Sequence, residues 1–64
     1  MKFVLEIDCD NETFGEDETS RNVEVSYILE NIGKRVEDGS VFGNVRDTNG
    51  NTVGRYRFVA TEQK

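Results

Sequence analysis

The chain lacks histidine altogether and contains a single cysteine, Cys9, among its 64 residues. One cysteine cannot form an internal disulfide, and without histidine the Cys/His ligand sets of structural zinc sites cannot be built. Nucleophilic chemistry at a cysteine needs a neighbouring base, and no histidine exists to serve as one. These absences argue against an enzyme, and they predict no metal, no cofactor and a buried, inert Cys9 thiol.

Long apolar stretches are also missing, because only 34% of the residues are hydrophobic. No run approaches the roughly 18 residues of a membrane-spanning segment, and no charged segment followed by an apolar one indicates a signal peptide. We therefore expect a cytoplasmic protein without membrane contact. The length predicts one domain, residues 1–64. Such a short chain buries only about 60% of its unfolded surface, so a partner or second copy would add useful burial.

What the sequence does contain is negative charge, with 13 acidic residues against eight basic ones and a formal net charge of −5. Six acids fall within one eleven-residue stretch, and we call them the acidic surface: Asp8, Asp10, Glu12, Glu16, Asp17 and Glu18. The charge disfavours attraction to nucleic acid or anionic membrane. Two interpretations of the acidic surface remain: a solvated acidic loop, or a surface that binds a basic protein partner.

The first residues, 2–9, alternate between apolar and polar side chains, which is typical of a half-buried strand with Phe3, Leu5, Ile7 and Cys9 facing inward. Residues 10–20 are polar and acidic and contain Gly15, so we expect a loop, with Phe14 folded back onto the core.

A helical stripe follows, formed by Val25, Ile28, Leu29, Ile32 and Val36. We expect Ser20 or Asn22 to cap its start and Gly39 to end it. Gly33 lies inside the helix, where we interpret it as a point of close approach to the sheet.

Residues 40–59 read as two strands joined at Asn49-Gly50, the strongest short signal for a β-hairpin. A two-residue turn would pair Val45 with Gly54, Gly43 with Tyr56 and Val41 with Phe58. These six residues would share one apolar face, with the Tyr56 ring across the bare backbone of Gly43.

The order strand, helix, strand, strand predicts an α+β fold of β-α-β-β type, with a three-stranded antiparallel sheet in the order 1-3-2 and one helix on one face. The third strand is placed in the centre because the hairpin pairs strands two and three. Glu6 and Asp8 would then lie near Arg55 and Arg57. The alternative puts the second strand in the centre, parallel to the first.

Two acidic segments resemble calcium loops without matching one. An EF-hand starting at Asp8 would need glycine at position six and glutamate at position twelve, where the chain has Thr13 and Thr19. In Asp47-Thr48-Asn49-Gly50-Asn51, alternating oxygen ligands also suggest calcium, but these residue types commonly close tight turns. We favour the turn and predict no metal site.

The side of the sheet without a helix forms a second candidate surface. We expect it to show Val4, Asn44, Val53 and Val59, together with four residues that we call the open sheet face: Phe42, Arg46, Arg55 and Arg57. Arginine and phenylalanine are enriched in interface cores, which favours protein contact, including self-association. The other interpretation is an ordinary solvated face with a ladder of ion pairs, which contribute about 0–1 kcal/mol each. Arginines beside an aromatic ring can also hold nucleic acid.

Several segments resemble a group of small proteins encoded by bacteriophages and integrated mobile elements. The resemblance spans nearly the whole chain, and its most specific part is the Asp-x-Asn-Gly-Asn-x-Val-Gly segment at residues 47–54. It implies a phage or phage-like origin, with no established activity and no catalytic residue.

The leading hypothesis is a small phage-type binding protein that inhibits or modulates a host protein through its acidic surface. A nucleic-acid-handling component of a CRISPR, restriction or other defence system fits best, with carboxylates standing where phosphates would lie. One alternative is a homo-oligomeric accessory module that associates, for instance as a homodimer, through the open sheet face. Another is a nucleic-acid binder that uses Arg46, Arg55 and Arg57.

Overall fold

Residues 1–61 are described by the computed structural model, and they form one helix and three strands. The elements are β1 (Lys2–Ile7), a 3₁₀ turn (Glu12–Phe14), α1 (Glu18–Glu37), β2 (Phe42–Arg46) and β3 (Thr52–Val59). The strands are antiparallel and lie in the order β1-β3-β2. This confirms the predicted α+β fold with sheet order 1-3-2, and the alternative with β2 in the centre is wrong.

The core lies between α1 and one face of the sheet. Ile28 and Ile32 of the helix pack with Val45 and Tyr56 of the sheet, and Phe14 is fully buried beside them. The half-buried residues packed against this cluster are Leu5, Ile7, Cys9, Val25 and Val36. The predicted inward positions of Phe14 and Cys9 are therefore confirmed.

The start of α1 differs from the prediction. The cap is Asp17, whose side chain accepts a hydrogen bond from the Ser20 N–H at 2.7 Å, so neither Ser20 nor Asn22 caps the helix. The apolar stripe starts only at Val25 because the first two turns of the helix are polar except for the exposed Val23, and the stripe alone could not locate the N-terminus. At the other end, α1 stops at Glu37, and Gly39, with φ +108°, follows the C-cap residue Asp38, as expected.

Gly33 does not mark a close approach of the helix to the sheet. It is exposed, and a Cβ atom at this position would have no neighbouring atom within 4 Å. Gly43 behaves as predicted, because it pairs with Tyr56 and an added Cβ would lie 2.9 Å from the Tyr56 hydroxyl.

The hairpin has a three-residue loop, so the predicted two-residue turn is wrong. Asp47 N–H donates to the Asn51 carbonyl at 2.9 Å, and Gly50 N–H donates to the Asp47 carbonyl at 3.0 Å. Gly50 takes φ +87°, a conformation that favours glycine. The odd loop would shift the register by one residue, but a bulge in the ladder next to Val45 compensates for it.

The predicted pairing is therefore restored beyond the bulge. Val45 pairs with Gly54 and Gly43 with Tyr56, while Phe58 N–H donates to the Val41 carbonyl at 3.1 Å. The same bulge explains a further correction. Val53 is 8% exposed and belongs to the core cluster, instead of appearing on the uncovered side of the sheet.

Candidate protein-binding surfaces

All six side chains of the acidic surface are exposed, and the segment that carries them is folded. The Asn11 side chain accepts a hydrogen bond from the Thr13 N–H at 2.8 Å and so caps the 3₁₀ turn. The Phe14 side chain, with 0% exposure, anchors the same turn in the core. The segment that carries the carboxylates is thus anchored to the domain at this turn.

The acidic segment is held by the hairpin loop and its flanking residues, 47–51, which we call the turn segment. Asp47 is its centre, with 5% exposure. One carboxylate oxygen accepts hydrogen bonds from the Asn49 and Asn51 backbone N–H groups at 2.9 and 2.8 Å. The other accepts from the side-chain amides of Asn11 and Asn51 at 2.9 and 3.1 Å. Asp47 therefore ties the acidic segment to the hairpin.

These hydrogen bonds keep Asp47 ionised. Burial alone would raise the pKa of Asp47, but the hydrogen bonds donated by the Asn51 backbone and by the Asn51 and Asn11 side chains outweigh burial and hold the pKa well below its ordinary value. Both carboxylate oxygens are used to accept N–H groups, which is the turn role predicted for this segment and not that of a calcium ligand. Within residues 1–61, no group of three or more His, Cys, Asp or Glu side chains is placed to hold a metal ion.

A second buried acid links the turn segment to the helix. Glu24 is 7% exposed, and its carboxylate accepts hydrogen bonds from the Thr48 N–H at 2.8 Å and the Thr48 hydroxyl at 3.1 Å. The Asn49 side chain adds a hydrogen bond to the Thr13 hydroxyl at 3.0 Å. Glu24 was not among the predicted site residues, although its position four residues before Ile28 puts it on the buried side of the helix.

Not all six acids of the acidic surface have the same role. Asp17 caps α1, and the hydrogen bonds from the Ser20 backbone and side chain lower its pKa. Asp8 accepts the Asp10 N–H at 3.0 Å. A hydrogen bond between the Asp8 and Asp10 side chains and the repulsion of their charges raise the pKa of Asp10. Because the Asp10 backbone is bonded to the Asp8 carboxylate, two like charges lie close together at this end of the acidic surface.

Replacing Asp10 with asparagine should therefore stabilise the protein at neutral pH. The folded-state pKa of Asp10 is raised, so its contribution to stability is favourable below the unfolded pKa and is lost as pH rises through the folded value. We expect Asp10→Asn to raise the melting temperature by roughly 2 °C at pH 7 and by less at pH 3. Thermal unfolding at both pH values, with Glu30→Gln as the charge-matched control, measures this. A lower melting temperature at pH 7 would contradict the crowding of Asp8 and Asp10.

The open sheet face is arranged in rows by the strand register. Arg57 lies between Val4 and Phe42, and Arg55 lies between Glu6 and Asn44. The Arg55 Nε atom is 3.7 Å from a Glu6 carboxylate oxygen, with both side chains about two-thirds exposed, so the predicted attraction between β1 and β3 is confirmed at this pair but contributes little stability.

The members of the open sheet face do not converge on one point. Phe42 is 73% exposed and has Arg57 as its register partner. Arg46 is at the turn end of β2, opposite Thr52. Asp8 was expected to lie near the arginines of β3, but the residue opposite Arg57 is Val4. The predicted pairing of Asp8 with an arginine is therefore wrong.

Four residues that the sequence placed on the apolar faces of the sheet and helix are exposed: Phe3, Leu29, Val41 and Phe58. Val41 is 56% exposed and Phe58 39% exposed, while Phe3 packs on Phe58 with ring centroids 5.0 Å apart and is itself 41% exposed. The last turn of α1 reaches Tyr56, where the Arg35 guanidinium lies 5.1 Å from the ring centroid. The helix then ends, so the sheet beyond Tyr56 has no cover from α1. Leu29, predicted in the apolar stripe, is also 47% exposed.

No model of a known protein family matches the chain, and no curated protein or solved structure shows significant similarity to it. Within residues 1–61, no helix is both long and apolar enough to cross a membrane.

Proposed function

We propose that this protein is a small binding protein that occupies a basic surface of a partner protein through its acidic surface. The observation that supports the proposal is that the six carboxylates are exposed along residues 8–18, a segment that Asn11 ties to the turn segment and Phe14 anchors in the core. Charges held in place before binding lose less conformational entropy on association than charges on a mobile loop. Their long-range field also raises the rate at which a positively charged partner approaches.

The class of partner follows from the charge. Positively charged protein surfaces of this kind are common where nucleic acid binds, and a row of carboxylates can occupy the positions of phosphates. The proposed partner is therefore a nucleic-acid-handling protein of a host cell, such as a defence component, which the protein would inhibit by competition. The phage-like origin implied by the resemblance in residues 47–54 is part of this proposal.

The experiment compares two variants with the same number of charges removed. The first neutralises Glu12, Glu16 and Glu18, which are exposed and whose side chains make no hydrogen bond within residues 1–61. The second neutralises Glu30 and Glu37 in the C-terminal half of α1 and Asp38, the residue that caps its end. Each variant loses three negative charges, so both have the same formal net charge. Any difference between their binding affinities therefore reflects the position of the charges.

Wild-type protein is used to isolate a partner from bacterial lysate, and the purified pair is then titrated. The Glu12→Gln/Glu16→Gln/Glu18→Gln variant should bind at least tenfold more weakly. Each exposed charge at the rim of an interface contributes about 1 kcal/mol or less to the binding free energy, and three are removed. The helix variant should bind within about threefold of wild type at the same salt concentration. Equal losses in the two variants, or none in either, would contradict a role for the acidic surface.

A second candidate function is self-association of an accessory module through the open sheet face. The observation that favours it is the 73% exposure of the Phe42 side chain, whose partner in the strand register is Arg57. Phe42→Glu would weaken such an association. Nucleic-acid binding by Arg46, Arg55 and Arg57 has less support, because Glu6 lies beside Arg55 and the net charge is negative.

A further inference from the structure

The two edges of the sheet differ in how their backbone groups are used. At the β2 edge, the Val41 carbonyl is bonded to β3, so the alternation of an antiparallel ladder turns the backbone of Phe42 and Asn44 outward. Both outward carbonyls are covered by side chains of the same chain. Arg35 donates to the Asn44 carbonyl at 2.9 Å, and the Ser40 hydroxyl donates to the Phe42 carbonyl at 3.1 Å. This edge is thus protected against further pairing.

The β1 edge has no comparable cover. Asp8 N–H donates to the Val53 carbonyl at 2.7 Å, so the even-numbered residues of β1 turn their backbone toward β3. The backbone groups of Phe3, Leu5 and Ile7 therefore point outward. Within residues 1–61, one hydrogen bond reaches these outward groups: the Cys9 thiol donates to the Ile7 carbonyl over a long distance of 3.8 Å. The register of β1 with β3 is unbroken over six residues, so this edge is a regular template for another strand.

Apolar surface adjoins the same edge. Phe3 is 41% exposed, and Leu5 and Ile7 are half-buried on the helix side of the sheet. Residues of a helix are spaced by about 100°, so Leu29 lies about 120° around the axis of α1 from Arg35. The buried Ile32 lies between them, and Arg35 faces β2. The exposed Leu29 side chain is therefore on the β1 side of the helix. Solvent-exposed apolar side chains next to an unpaired edge favour burial by an added strand.

We propose that β1 pairs antiparallel with β1 of a second copy of this chain, joining two domains into one six-stranded sheet. The sequence of the strand is self-complementary about Val4. With Val4 opposite Val4 of the second copy, each Lys2 lies opposite a Glu6, and each Phe3 lies opposite a Leu5. The pairing forms two ion pairs related by the two-fold axis, and it uses the outward backbone groups of Phe3 and Leu5 for hydrogen bonds.

Neighbouring registers match less well. Centring the pair on Leu5 would put Glu6 opposite Val4 and would move Lys2 opposite Asp8, which lies outside the strand. In the register centred on Val4, Glu6 lies between the Lys2 of the second copy and its own Arg55, so positive and negative charges alternate across the joined sheet. Because the β2 edges are covered by Arg35 and Ser40, growth stops at two copies.

Sedimentation velocity over a range of protein concentrations tests the proposal with two charge-reversal variants. Lys2→Glu and Glu6→Lys each place like charges opposite one another twice in the homodimer, so each should weaken dimerisation by about tenfold or more. In an equimolar mixture, one variant supplies two glutamates and the other two lysines at the facing positions. The mixture should therefore form a heterodimer with an affinity restored toward that of the wild type.

A second readout needs no variant. Amide hydrogen exchange at Phe3 and Leu5 should slow as the wild-type concentration rises, because these N–H groups are bonded only in the dimer. A protein that stays monomeric up to about 1 mM, or whose dimer is weakened by Phe42→Glu and not by Lys2→Glu, would overturn the proposal. If dimerisation through β1 is disproved, the proposed role of the acidic surface still stands, because the Glu12→Gln/Glu16→Gln/Glu18→Gln variant tests that role separately.

Discussion

Replacing Gly54 with alanine should destabilise the domain by about 3 kcal/mol or more, at the upper end of what overpacking costs. An added Cβ atom would overlap the Glu6 carbonyl oxygen and approach the Glu6 carbonyl carbon and the Ile7 Cα atom. These are backbone atoms of β1, which pairs with Gly54 through Ile7. The clash can be relieved only by moving β1 away from β3, which breaks the ladder between the two strands.

For a domain of this size, the melting temperature should fall by roughly 15 °C or more. The matched control is Gly33→Ala, which adds the same methyl group where no atom lies within 4 Å. Because alanine favours a helix interior over glycine by about 1 kcal/mol, this control should be more stable than wild type. Thermal unfolding followed by circular dichroism separates the two. A Gly54→Ala protein as stable as wild type would show that β1 does not approach β3 as described.

Replacing Asp47 with asparagine should lower the melting temperature by roughly 10 °C. The substitution keeps the shape of the side chain but removes its charge and one of its two oxygens. The four N–H groups now bonded to Asp47 belong to Asn11, Asn49 and Asn51, and two of them would face an amide nitrogen. The acidic segment should loosen at the same time, because Asn11 is its anchor to the turn segment.

The effect of Asp47→Asn should depend on pH in a defined direction. The folded-state pKa of Asp47 is lowered, so its contribution to stability is present above the unfolded pKa of about 3.9. It is lost as pH falls through the lower folded value. The difference in melting temperature between wild type and variant should be full at pH 7 and should shrink below pH ~4.

The charge-matched control for this substitution is Asp38→Asn, since Asp38 is exposed at the end of α1. It should change the melting temperature by no more than about 3 °C. An Asp47→Asn protein with the stability of the Asp38→Asn protein at pH 7 would mean that the turn segment does not hold the domain together.

The fold was predictable because periodicity and burial constrain each other. The alternation of Phe3, Leu5 and Ile7 and the helical stripe through Ile28 and Ile32 identified two elements. The hairpin register was predicted correctly from burial even though the turn length was wrong. A bulge adds or removes one residue from a ladder without changing which residues are apolar, so the pattern alone could not separate a two-residue turn from a three-residue loop with a bulge.

The supports of the candidate site were less predictable. The six acids were visible in the sequence as a cluster. The fixed position of the segment that carries them depends on Asn11, Glu24 and Asp47, which form contacts between segments distant in the chain. Asp47 and Glu24 are buried, hydrogen-bonded acids. The amino-acid composition does not distinguish them from ordinary charged residues on the surface. The turn preference of Asp47 pointed to its local bonds with Asn49 and Asn51. Nothing local pointed to its bond with Asn11.

The central claim, that the acidic surface is fixed before any partner binds, is tested most directly by amide hydrogen exchange of the free wild-type protein. Three amides report on the 3₁₀ turn: Thr13 donates to the Asn11 side chain, Phe14 to the Asn11 carbonyl and Gly15 to the Glu12 carbonyl. We expect all three to exchange within about tenfold of the central amides of α1. Exchange at the rate of an unfolded peptide would contradict the claim and leave the six carboxylates as charges on a mobile, solvated loop.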